Sequence, residues 1–126
     1  MMDRIDALLA AMADFALQYP EVTEGLSCAG TAIESRTVLT GKKAFVFLRR
    51  KEVRFKLKDS IGELEALAAA QPERFEAGKG GWCKVTLAAG ADPSEDQWQR
   101  WLDESFRLMA TKTRIRRLDG APVLRR

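Results

Sequence analysis

The side chains best equipped for chemistry in this chain are cations. Lys42 to Lys58 reads KKAFVFLRRKEVRFKLK and carries eight Lys or Arg against a single acid, Glu52. The eight are Lys42, Lys43, Arg49, Arg50, Lys51, Arg54, Lys56 and Lys58. A row of one sign attracts anions, and a phosphate backbone is the polyanion it suits best. The same row would also serve as a solvated face that keeps the protein in solution. Lys79, in Gly78-Lys79-Gly80-Gly81-Trp82, and Arg114, Arg116 and Arg117 near the C-terminus are further phosphate contacts by type. The glycine-rich segment is no nucleotide cradle, because a Walker loop needs G-x-x-x-x-G-K-[ST] opening a helix and this one opens a strand. Trp82 and the nearby phenylalanines are of a type that stacks on bases. With only 8% aromatic residues in the chain, packing in the core or at its edge is the expected role.

Other chemistries find less support. The chain has no histidine, which removes the commonest general base near neutral pH and the commonest zinc ligand. Cys28 and Cys83 are the only cysteines and form neither a CxxC pair nor a disulfide framework. Cys83 alternates with polar residues and is expected in the core. Cys28, in Ser-Cys-Ala-Gly, has no electropositive setting in its neighbours to activate a thiolate. Glu63 and Glu65 fall on different helical faces, and Asp103 and Glu104 are expected to be solvated. Glu24 beside Gly25 is the one acid in a less ordinary setting. No catalytic residue, cofactor or metal ligand is assigned.

These residues need elements to hold them. Ile5, Leu8, Leu9, Met12, Phe15 and Ala16 recur at helical spacing, starting near Asp3 and stopped by Pro20. Val22-Thr23-Glu24-Gly25 and the small residues from Ser27 to Ala32 carry no clear period. Ile33–Leu39 reads as a strand, Thr40-Gly41-Lys42 as a turn, and Lys43–Leu48 as a strand with Phe45 and Phe47 on one face. Arg49-Arg50-Lys51 then leads into Glu52–Lys58, where Val53, Phe55 and Leu57 alternate with Arg54, Lys56 and Lys58. Ser60-x-x-Glu63 is a capping-box pattern before a helix over 61–70. Phe75 is expected to enter the core, and Trp82–Ala88 to form a strand with Trp82, Lys84 and Thr86 on one side. Asp92-Pro93 starts a last helix that presents Trp98, Trp101, Leu102, Ser105, Phe106 and Met109 and decays over 112–117.

Helix, three strands, helix, strand and helix make an α+β domain, a small antiparallel sheet with helices on one face. It occupies residues 1–110, followed by a basic tail over 111–126 that is expected to be flexible. Residues 1–110 hold 15 Lys/Arg and 17 Asp/Glu, while the remaining six cations face Asp119 alone. No apolar run reaches the roughly 20 residues that cross a bilayer. The N-terminal sequence lacks the layout of a signal peptide, so a cytoplasmic, monomeric protein is expected.

Five pieces in order resemble the MmcQ/YjbR family of small bacterial proteins. They are Pro20-Glu21-Val22-Thr23-Glu24-Gly25, Gly41-Lys42-Lys43-Ala44-Phe45, Phe55-Lys56-Leu57-Lys58, Gly78-Lys79-Gly80-Gly81-Trp82 and the run from Arg100 to Leu108. The resemblance implies a CyaY-like α+β fold and DNA binding through a double-wing arrangement of hairpins, without a catalytic motif or cofactor. The chain departs from the pattern in lacking an aromatic over 33–39, and its basic extension after Ala110 lies outside the shared part.

The expected function is therefore non-enzymatic DNA binding, salt-sensitive and without base reading, since no helix carries an Arg/Asn/Gln set to read base edges. The alternative is a protein-interaction or small-ligand module whose basic face meets an acidic protein. A third class, an enzyme using Glu24 or Cys28, lacks a visible paired base.

Overall fold

The computed structural model describes residues 3–88 and 93–120. The elements in order are α1 (Arg4–Ala16), β1 (Val22–Ser27), β2 (Ser35–Thr40), β3 (Lys43–Arg49), β4 (Glu52–Lys56), α2 (Ile61–Ala70), β5 (Phe75–Ala77), β6 (Trp82–Thr86), α3 (Glu95–Met109) and α4 (Lys112–Asp119). All six strands join one antiparallel sheet in the order β1-β2-β3-β4-β6-β5. The fold is α+β, as the element pattern implies.

The helical stripes become the core. Asp3 caps α1 by accepting from the Asp6 N–H, and Met12, Phe15 and Ala16 are buried. From α3, Trp98, Trp101, Leu102 and Phe106 are buried. Trp101 stacks on Phe55 of β4, Phe106 meets Phe45 of β3 edge-on, and Phe15 meets Trp98 edge-on. Each such side chain contributes about 1.5–3 kcal/mol by leaving water, so the α1/α3 layer holds the sheet from one side.

Several expectations are corrected. β1 was not legible as a strand, because it is an edge strand without a fully buried residue. The strand expected at Ile33–Leu39 begins at Ser35, and Ile33 stands 57% exposed in the preceding loop. Helix α3 starts at Glu95 with Ser94 accepting from the Gln97 N–H as its cap; Asp92 lies outside the described residues. Ser60 makes no capping-box bond to α2. Its N–H and hydroxyl, with the Lys58 N–H, donate instead to Glu104 of α3. Asp103 is not solvated either: it accepts from the Tyr19 hydroxyl at 2.5 Å and from Arg107 at 2.9 Å. Those partners lie 44 to 84 residues away, or one turn along α3, and only the fold brings the distant ones together.

The C-terminal segment, expected to decay into irregular structure, forms the separate helix α4. α3 breaks at Ala110, and Thr111 caps α4 by accepting from the Arg114 N–H. Leu118 is buried at 7% exposure, Arg117 pairs with Glu21, and Asp119 accepts from Arg107 at 3.1 Å. The helix forms because one apolar side chain and two ion pairs tether a strongly charged segment to the domain.

Candidate nucleic-acid interface on the open sheet face

The site begins with a miscount in the ladder. Val38 pairs with Val46, but Leu39 pairs with Ala44, so Phe45 is an extra residue on β3. Such a β-bulge uses up one step of the side-chain alternation. Phe45 and Val46 are consecutive, yet both are fully buried toward the helices. Phe47 consequently turns to the opposite, open face, which corrects the expectation that it shares a side with Phe45.

Ser105 of α3 holds the bulge. Its buried hydroxyl donates to the Phe45 carbonyl at 2.6 Å and accepts from the Lys56 N–H at 2.9 Å. In an unbulged ladder these two backbone groups would serve each other.

On the open face, paired residues build rows across the sheet. One row runs Thr37, Phe47, Arg54, Lys84 and Glu76 from β2 to β5. The next pair toward the β6 start is Lys56 with Trp82, and the next toward the β3–β4 hairpin is Arg49, Glu52 and Thr86. Arg54, Lys56, Lys84 and Arg49 thus face only Glu52 and Glu76 among the acids of these rows. Arg54 and Lys84 are like charges directly opposite each other, an arrangement that costs stability unless an anion joins them. Glu52 is engaged on its own side: Arg49 donates to it at 2.8 Å and holds its carboxyl below the ordinary range, against the opposing effect of burial. Arg54 reaches Glu52 only at 3.8 Å and stays 53% exposed.

Trp82 is half-buried on this same face, where its ring meets Phe47 edge-on at 5.7 Å. Of the two placements expected for Trp82, core or edge, it takes neither the core side nor full exposure: Cys83, Val85 and Leu87 take the core side of the strand. The turn that delivers Trp82 depends on glycine. Gly81 has φ +86, and a Cβ there would stand 2.3 Å from the Leu57 carbonyl oxygen. Ser27, Cys28, Ile33 and Ser35 rise beside Phe47, Arg49, Arg54 and Trp82 to enclose a cleft of about 360 Å³.

The basic residues singled out in the sequence are not one patch. Arg54 and Lys56 stand on the open face, with Arg49 beside them. Arg50 and Lys51 form the two-residue turn of the β3–β4 hairpin, Arg50 with φ +52. Lys42 and Lys43 lie at the far end of β3, about 20 Å away for a strand of 7 residues. Lys58 is exposed beyond β4, and Lys79 is exposed in the short 3-10 turn before Trp82. Arg114 lays its guanidinium against the Gly41 turn with its Nε buried and unpartnered. Arg116 is exposed on α4, and Arg117 is occupied by Glu21. Lys84 was not singled out, although its alternation with Cys83 and Val85 carried the signal.

The enzymatic alternatives gain no partner here. Arg36 donates to Glu24 in bidentate fashion, which lowers that carboxyl's pKa and makes it a weaker base. Cys28 is exposed with φ +54, and Cys83 is buried with its thiol pushed up to about 11, chiefly by burial. Among the described residues no three acids or cysteines gather as a metal-ligand set, and no helix is long and apolar enough to cross a membrane.

No curated protein and no solved structure matches the chain. A family model described as YjbR matches residues 17–108, a span that contains all six strands, α2 and nearly all of α3. With most of its length under that match, the chain belongs to the YjbR family.

Proposed function

We propose that this protein binds DNA without reading sequence, through the open face of its sheet. The observation that carries the reading is the row Arg54–Lys84, with Lys56 one pair away, on the face turned from α1 and α3. These three side chains hold the phosphates, and Arg49, Arg50, Lys51, Lys58 and Lys79 extend the positive rim. Lys42, Lys43 and Arg114 at the opposite end, with Arg116 and Arg117 on α4, add only longer-range attraction. The binding unit is residues 1–110, against which α4 packs through Leu118, and the basic residues of α4 contribute charge.

The test is anisotropy of labelled duplex and single-stranded DNA against salt concentration, for the full chain and for Arg54→Gln/Lys56→Gln/Lys84→Gln. Each phosphate contact on a single strand contributes about 0.7 to the slope of log affinity against log salt, so the triple variant flattens it by about 2. An unchanged affinity and slope would remove the open face from the function.

A second occupant, an acidic protein, is favoured by Ile33 at 57% exposure, which places an apolar anchor in the same cleft as Arg49 and Arg54. It requires binding to an acidic protein with none to DNA at matched ionic strength.

A further inference from the structure

We infer that the cleft beside Trp82 takes one unpaired nucleobase whose phosphate lies at Arg54 and Lys84. The inference rests on the open face being the anion-binding surface and goes further by naming what fills the cleft. At about 360 Å³ the space is at the small end of ligand pockets, which span about 300–1,000 Å³. Its floor is aromatic, made by Phe47 and Trp82, and Ile33 supplies an apolar lip. Cation and aromatic are adjacent because Arg54 pairs with Phe47 on one side and Lys84 on the other, while Trp82 begins the strand that carries Lys84.

That combination selects a flat apolar ring carrying an anion. A purely apolar ligand would leave Arg54 and Lys84 with only Glu52 and Glu76 to offset their mutual repulsion. A simple phosphate would leave the aromatic floor wet. A base inside a duplex is stacked on both sides and cannot enter, so the site favours single strands or free nucleotides over duplex. Of the lining groups, Ser27 and Ser35 offer hydroxyls but no amide or carboxylate to distinguish one base from another. Stacking of this kind accepts any base.

The test uses the full chain and ligand quenching of Trp82, with Trp98 and Trp101, buried at 5% and 0% exposure, as a background shielded from contact with the ligand. Adenosine 5′-monophosphate should quench it more strongly than adenosine, and inorganic phosphate should not quench it. A labelled oligothymidylate should bind more tightly than a duplex of matched length. Trp82→Leu should weaken oligothymidylate binding by about tenfold, as loss of one stacking partner does. Ile33→Asp, at an exposed lip where folding is not at stake, should weaken it comparably by placing a carboxylate in the wall of the cleft against an anionic ligand.

Binding that survives both substitutions but weakens in Arg54→Gln refutes base insertion and leaves the phosphate-binding face intact. Binding indifferent to Arg54→Gln as well overturns both. Quenching by the mononucleotide without any oligonucleotide binding supports the cleft, identifies the free nucleotide as its occupant, and overturns the DNA reading.

Discussion

Ser105→Ala removes one oxygen and strands two backbone groups. The Phe45 carbonyl and the Lys56 N–H are both bonded to this hydroxyl, and Ser105 is 0% exposed, so water has no direct route to replace it. Leaving a buried donor or acceptor unmet costs about 1–3 kcal/mol each, which puts the expected loss at about 2–6 kcal/mol, or about 6–30 °C in Tm for a domain of this size. Urea unfolding followed by the fluorescence of the buried Trp98 and Trp101 reads it directly, provided the m-value is unchanged. Ser94→Ala is the comparison. It deletes the same atom from an exposed helix cap and should cost about 1 kcal/mol. If the two variants lose the same stability, Ser105 is not the clamp of the bulge and the account of how Phe47 reaches the open face fails.

Three further outcomes are expected. A thiol reagent at pH 8 should modify Cys28 quickly and Cys83 only on unfolding, since Cys83 is buried with a thiol near 11; two fast thiols would contradict the core placement. Gly81→Ala should destabilise the fold by at least about 2 kcal/mol, because it combines a left-handed backbone with a backbone clash, whereas Gly62→Ala in α2 meets nothing and should be neutral or stabilising. Acid should weaken the protein. Glu24, Glu52 and Glu63 are each held below the ordinary 4.5 by hydrogen bonds from Arg36, Arg49 and Arg100 respectively. A depressed carboxyl adds stability that is present above the unfolded value and lost as pH falls through the folded one. Stability should therefore drop below about pH 4.5, and the Glu24→Gln/Glu52→Gln/Glu63→Gln variant should show a shallower drop, a modest one because the pairs are solvent-screened.

Elements that face core on one side and water on the other were legible in the sequence. β4 and β6 alternate strictly, and α1 and α3 carry clean stripes, because each has one buried face. β1 was not legible, since an edge strand has no buried face to mark. β3 misled in its register: AFVFL is apolar throughout, so alternation cannot reveal where the extra residue falls. Of the candidate site, Arg54 and Lys56 were legible from their own strand. The meeting of Phe47 with Trp82 was not, because it follows from β4 pairing with β6 across the intervening α2 and β5. The charges of α4 were visible, but their use inside the domain depends on Glu21 and Arg107, which sequence distance hides.

The extra residue at Phe45 makes the span between the Gly41 turn and the Arg50 turn a matter of counting. A substitution there alters one side chain. A deletion changes which layer the rest of the strand belongs to, because side is set by parity. Over evolutionary time this stretch should accept new letters far more readily than a new length. The loop between Ser27 and Ser35 carries no such constraint, since it has no ladder to keep in step. Insertions there would raise or lower the wall of the cleft without disturbing the sheet, so relatives built on the same frame have a simple way to change what fits against Trp82.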